Sequence, residues 1–123
     1  DPEDRDRIET ALREAEEEIG LKRADVRVIG LLDELITVSQ WRITPVVGVS
    51  PHPYAFVPSI FELSAIFDVP LAWLADPANL TIAHRESSMP GPKLEVYHFF
   101  YGDYDIWGAT ARILRNLLEV MAV

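Results

Sequence analysis

Cysteine is missing from all 123 residues, so neither a disulfide nor a thiolate metal site can form, and a reducing cytoplasm is the expected compartment. No apolar run approaches the roughly 20 residues that span a bilayer, and no stretch has the layout of a secretory signal. Positive charge is scarce: 11 Lys and Arg face 20 Asp and Glu, a formal charge of −9. That balance argues against unspecific binding to nucleic acid or to an anionic membrane. About half of the chain, 49%, is apolar, which suits one core and a single domain over 1–123.

The acidity is local. Residues 1–20 hold nine acidic and three basic side chains. Within them Ile8, Ala11, Leu12, Ala15 and Ile19 recur at spacings of three and four, so an amphipathic helix is expected from Asp4 or Asp6 to Ile19. At about 100° per residue, Glu14, Glu17 and Glu18 share an arc beside the apolar stripe. Glu14 and Glu18 are one turn apart, and like charges at that spacing cost a bare helix roughly 0.2–0.5 kcal/mol. Such an arrangement calls for water or a cation. Arg13 and Glu17 form an i, i+4 pair that can hold one carboxylate, and Gly20 is placed to end the helix.

An acidic helix face is ordinarily just a solvated surface. Here the order of the residues matters more than their composition. Arg13-Glu14-Ala15-Glu16-Glu17-Glu18-Ile19-Gly20-Leu21 resembles the second half of the Nudix box, the signature of hydrolases that cut a nucleoside diphosphate linked to another moiety. The resemblance implies a metal-dependent pyrophosphatase using Mg²⁺ or Mn²⁺, with Glu14 and Glu18 as metal ligands, Glu17 at the same ions and Arg13 orienting Glu17. Such chemistry needs hard cations, because a polyanionic diphosphate repels an attacking water.

In the family a glycine loop precedes this helix, and its glycine would lie upstream of residue 1. The family's earlier glutamate would fall on Arg5, with Asp4 the better counterpart. The resemblance therefore implies a domain whose N-terminal part lies outside this chain. Homodimers are common in the family, although the sequence carries no interface signal.

Downstream, Val26 and Val28 alternate with Arg27 and Ile29 as a short strand that Gly30 weakens, and residues 33–40 read as a strand edge and loop. Trp41 to Val49 is a β-forming run in which Pro45 predicts a bulge or an edge. Arg42 to Gly48, Phe61-Glu62, Phe67 to Leu71 and Asp105 to Ala111 are similar to the coenzyme A pyrophosphatase branch of the family. In that branch a glycine tends to precede the aromatic residue where this chain has Gln40.

The prolines at 51, 53 and 58 mark a loop, either a connector or the rim of a substrate cleft. Glu62 follows it. In many Nudix enzymes a carboxylate outside the box completes the metal site or acts as base, whereas a lone glutamate beginning a helical turn is otherwise a dipole-favoured charge. Ala65 to Val69 reads as a strand, Leu71 to Ala75 as a short helix opened by Pro70. Residues 80–85 and 94–101 form a hairpin around Met89-Pro90-Gly91-Pro92. His84 and His98 have no third ligand at a recognisable spacing and read as structural. Ala111, Ile113, Leu114, Leu117, Leu118 and Met121 define a second amphipathic helix from Trp107 or Gly108, with Trp107 expected as a buried aromatic at its start rather than as a surface on which an adenine stacks.

The expected fold is a Nudix-type α/β/α sandwich, with a mixed sheet between the acidic helix and the C-terminal one. The expected substrate is a small nucleotide-type molecule, with coenzyme A or an acyl derivative first, neither nucleic acid nor membrane. Another pyrophosphate such as ADP-ribose, or a non-catalytic binding module, is the alternative.

Overall fold

A computed structural model describes residues 2–37, 39–59, 66–85 and 94–122, with the side chains of 3, 4, 85 and 94 excepted. The chain divides into two units, one of 1–36 with 40–67 and the other of 37–39 with 68–123.

In the first unit the acidic helix α1 runs Pro2–Ile19. It starts earlier than its apolar stripe because Pro2 is tolerated in a first turn. Gly20, at φ +68°, stops it. The Gly20 N–H donates to the Glu16 carbonyl at 3.0 Å, the left-handed cap that glycine adopts without a Cβ penalty. A 3-10 turn, Arg23–Asp25, leads into β1, Arg27–Leu31, which pairs antiparallel with β4, Val46–Val49. Ile29 is an extra residue between the pairs Val28↔Gly48 and Gly30↔Val47. This bulge explains why Leu31 falls out of the simple alternation. Gly48 is required by close approach, since a Cβ there would lie 2.7 Å from Val26 Cγ1. The stripe of α1 faces this ladder: Ala11, Leu12 and Ala15 line a cavity of about 140 Å³ with Val26, Val28 and Val46.

The expected single strand from Trp41 to Val49 is two. Arg42–Ile43 (β3) pairs with Leu35–Ile36 (β2), whereas β4 pairs with β1. The break is at Thr44-Pro45, where the proline has no donor for a ladder and its carbonyl instead accepts from the Leu32 N–H at 2.9 Å. Gln40 has φ +68°, a conformation that costs an L-residue about 1–2 kcal/mol. Glycine would remove that cost and add about 0.5–1 kcal/mol of chain entropy. Gln40→Gly should therefore leave stability unchanged or raise it by up to about 1 kcal/mol, read as the urea midpoint at constant slope.

In the second unit β5 (Leu80–Arg85), β6 (Leu94–Tyr101) and β7 (Tyr104–Trp107) form one antiparallel sheet in that order. The helix α3, Gly108–Met121, lies against β6 and β7. Phe99 and Ala111, 1% and 0% exposed, centre the core with Leu74 and Ile106, and Leu114 and Leu118 extend it. Leu74 belongs to the short helix α2, Leu71–Ala75. The Asp76 carboxylate caps the following 3-10 turn by accepting from the Ala78 N–H at 3.0 Å.

The α/β class is as expected. Every described ladder is antiparallel, in sheets of two, two and three strands, so the parallel pairing of a mixed sheet is not among the described residues. The strand expected at Ala65 to Val69 is absent from its described part, since Ile66 to Val69 is irregular. β7 went unanticipated. Trp107 is 51% exposed rather than buried: β7 carries it beside His98, to which it pairs across the ladder, on the side away from Phe99. Among the described residues no helix is long and apolar enough to cross a membrane.

Candidate functional site

One continuous helix carries four of the five residues singled out in the sequence. Arg13 and Glu17 are both 66% exposed, and the Arg13 Nε lies 4.0 Å from Glu17 Oε1. Glu14 is exposed on the neighbouring flank, and Glu18 is partly buried near the helix end. Among the described residues no three His, Cys, Asp or Glu side chains converge as a set that could hold a metal ion. Glu62 lies outside the described residues, as does the Asp4 side chain.

The end of α1 is held by the proline-rich segment. The Val57 N–H donates to the Ile19 carbonyl and the Ser59 N–H to the Glu18 carbonyl, both at 2.8 Å. These bonds satisfy acceptors that a helix otherwise leaves over. The same segment is clamped at Tyr54, whose hydroxyl donates to Asp25 Oδ2 at 2.6 Å and accepts from the Lys22 N–H at 3.1 Å. The Asp25 carboxylate holds the Tyr54 proton and raises its pKa above the usual phenol value. The loop is thus fastened where the box ends.

Two grooves flank the helix. One, of about 480 Å³, is lined by Glu9, Arg13, Glu16 and Arg23 among others. There Glu9 and Arg23 are directly ion-paired, and the guanidinium's hydrogen bond draws the Glu9 carboxyl below its usual pKa. A depressed carboxyl stabilises the fold above its unfolded pKa, and that contribution fades as pH falls through the folded value.

The other groove, of about 700 Å³, has Glu14 on its wall with Arg7, Glu34, Trp41 and Arg42. Glu34 receives Arg7 Nη2 and Arg42 Nε at 3.3 Å each, and the Thr44 hydroxyl donates to it at 3.5 Å. No sequence spacing links Arg7, Glu34 and Arg42, because the β2–β3 pairing brings Glu34 to Arg42 while Arg7 reaches Glu34 from α1. Trp41 is 71% exposed.

Elsewhere, in the second unit, His98 Nδ1 lies 2.9 Å from Asp105 Oδ1, and the ring stacks beside Phe100 and Trp107 at 5.3 and 6.1 Å. His84 Nε2 lies 3.8 Å from Glu95 Oε1 at the surface. His84 and His98 each have a carboxylate partner.

The opening helix of this α/β chain thus carries Arg13-Glu14, then Glu17-Glu18, then a left-handed glycine. Comparison with known proteins narrows the class. The chain is 36% identical over its whole length to a protein of Photorhabdus laumondii named "Uncharacterized Nudix hydrolase NudL". It is 37% identical over its whole length to proteins of the same name from Yersinia pestis and Yersinia pseudotuberculosis. It spans 65% of the length of the first and 61% of the others. No family model matches. By this similarity the chain is a homologue of Nudix hydrolases.

Proposed function

We propose that the chain carries the catalytic helix of a divalent-metal-dependent pyrophosphatase, acting on a nucleoside diphosphate linked to a second moiety. The observation that carries this reading is the layout of residues 13–21. The box residues lie on one unbroken helix, ended by Gly20 and tied at Glu18 to the segment leading towards Glu62. The similarity to Nudix hydrolases over the whole chain supports it.

The donor set fits a hard cation. Glu14, Glu17 and Glu18 offer only carboxylate oxygens, the ligand type of Mg²⁺ and Mn²⁺. Glu14 and Glu17 are exposed, and exposed side chains change rotamer on the picosecond to nanosecond scale, so their present splay is no barrier to gathering. A bound divalent ion supplies charge neutralisation at the diphosphate oxygens and a more acidic water. Arg13 acts as a positioning residue through its pair with Glu17. Glu62 has the role of an accessory carboxylate, completing the donor set or accepting the proton of the attacking water.

Coenzyme A or an acyl derivative is the substrate favoured by the resemblance of Arg42 to Gly48, Phe67 to Leu71 and Asp105 to Ala111. Hydrolysis then yields 3′,5′-ADP and a 4′-phosphopantetheine. In a Mg²⁺-dependent assay, coenzyme A should be cut far faster than ADP-ribose or diadenosine polyphosphates. The reverse ranking moves the protein to another branch. The second reading is a binding module without turnover, favoured by the lack of a converged carboxylate set among the described residues. No turnover of any of these compounds at any metal concentration would favour it, or a part of an enzyme that needs sequence outside this chain to turn over.

A further inference from the structure

We infer that the groove beside Glu14 takes the nucleoside of the substrate, with Trp41 stacking on the base and Arg7 and Arg42 meeting the phosphate nearest it. The inference rests on the proposed pyrophosphatase reading and names where the non-reacting half of the substrate lies.

Size comes first. About 700 Å³ is within the usual range for small-molecule sites, about 300–1,000 Å³, and suits a nucleoside with a phosphate. Chemistry comes second. The groove combines a large indole surface, 71% exposed, with two guanidinium groups gathered on Glu34 at 3.3 Å each. Among the lining residues Arg7 and Arg42 face the carboxylates of Asp6, Glu14 and Glu34, so the two planar donors are the groove's cationic points, and an anion can draw them from the carboxylate they share. The groove on the other flank has Glu9, Arg13, Glu16 and Arg23 but no aromatic surface for a base.

Placement comes third. Glu14 lines the same groove as Arg7, Trp41 and Arg42, so a nucleotide lying in it has a box glutamate at its side.

The test is calorimetric titration with ADP in the absence of divalent metal, alongside steady-state kinetics on coenzyme A. Stacking and cation contacts of this kind correspond to roughly ten- to hundredfold in affinity. Trp41→Ala should weaken ADP binding and raise KM by about that factor, with the loss falling on KM rather than kcat, and Trp41→Phe should recover most of it. Arg42→Gln should weaken ADP more than adenosine. The melting temperature, measured on each variant, separates lost binding from lost folding. ADP affinity and KM that are unchanged in Trp41→Ala overturn the inference while leaving hydrolysis standing. No ADP binding by the unsubstituted chain overturns it too. ADP binding that depends on Trp41 without turnover of any pyrophosphate upholds the nucleoside site and overturns the hydrolase reading.

Discussion

Glu18→Gln lowers metal-dependent turnover by roughly two to three orders of magnitude, the usual loss when one charged group that steadies a developing phosphate charge is removed. Glutamine keeps the size and most of the helix propensity of glutamate. What the tertiary structure takes from this position is the backbone carbonyl, which accepts from Ser59 at 2.8 Å and is untouched by the substitution. The melting temperature should therefore stay within a degree or two while kcat falls. Arg13→Ala provides a matched control. Its pair with Glu17 is 4.0 Å long and 66% exposed on both sides, a geometry worth little to stability. Any fall in its turnover thus reports positioning of Glu17 rather than folding. Near-normal rates in Glu18→Gln would remove the box glutamates from the mechanism.

The two long helices were legible because each has an apolar stripe at helical spacing; Gly20 marked the end of α1, whereas the start of α3 was left between Trp107 and Gly108 and falls at Gly108. The β5–β6 hairpin was legible from its alternation. β7 was not, although its signal is present. Gly102-Asp103 sits between Tyr101 and Tyr104, and Gly102 takes φ +58°, the two-residue turn that such a dipeptide announces. The strand is only four residues long and merges into the run assigned to the helix.

Pro45 was read correctly as an obstacle to a ladder, but a local signal could not show that the halves on either side choose different partners. The position before Trp41 is more instructive. Gln40 adopts the backbone region that favours glycine, the residue expected there from the resemblance to the coenzyme A pyrophosphatase branch, and nothing in the residue type itself announces that conformation.

At the site, the sequence placed the carboxylates on one helix and paired Arg13 with Glu17. It could not find the Arg7–Glu34–Arg42 cluster, whose members meet only through the β2–β3 pairing and the placing of α1 beside it. Nor could it decide whether the proline-rich loop is a connector or a rim. The hydrogen bonds at Val57 and Ser59 show it fastened to the helix end.

Gly20→Ala is expected to destabilise the fold by about 2–5 kcal/mol, from two separable causes. The left-handed φ of +68° costs an L-residue about 1–2 kcal/mol. The added Cβ would also lie 2.9 Å from Val57 Cβ, 3.1 Å from Val57 N and 3.3 Å from Val57 O. Much of that contact is backbone, which cannot rotate away, and overpacking of this kind typically costs about 1–3 kcal/mol. Relief requires the loop to move off the helix, which lengthens the bonds from Val57 to Ile19 and from Ser59 to Glu18. Against a whole-domain stability of about 5–15 kcal/mol, the loss is large enough to read directly from a denaturant midpoint. Gly30→Ala is the reference, because a Cβ there meets nothing within 4 Å and should change stability by no more than about 0.5 kcal/mol. If Gly20→Ala folds at reduced temperature, its turnover should remain depressed there, since displacement of the loop alters the backbone that carries Glu18. Full activity with lowered stability would show instead that the loop serves only to hold the helix end.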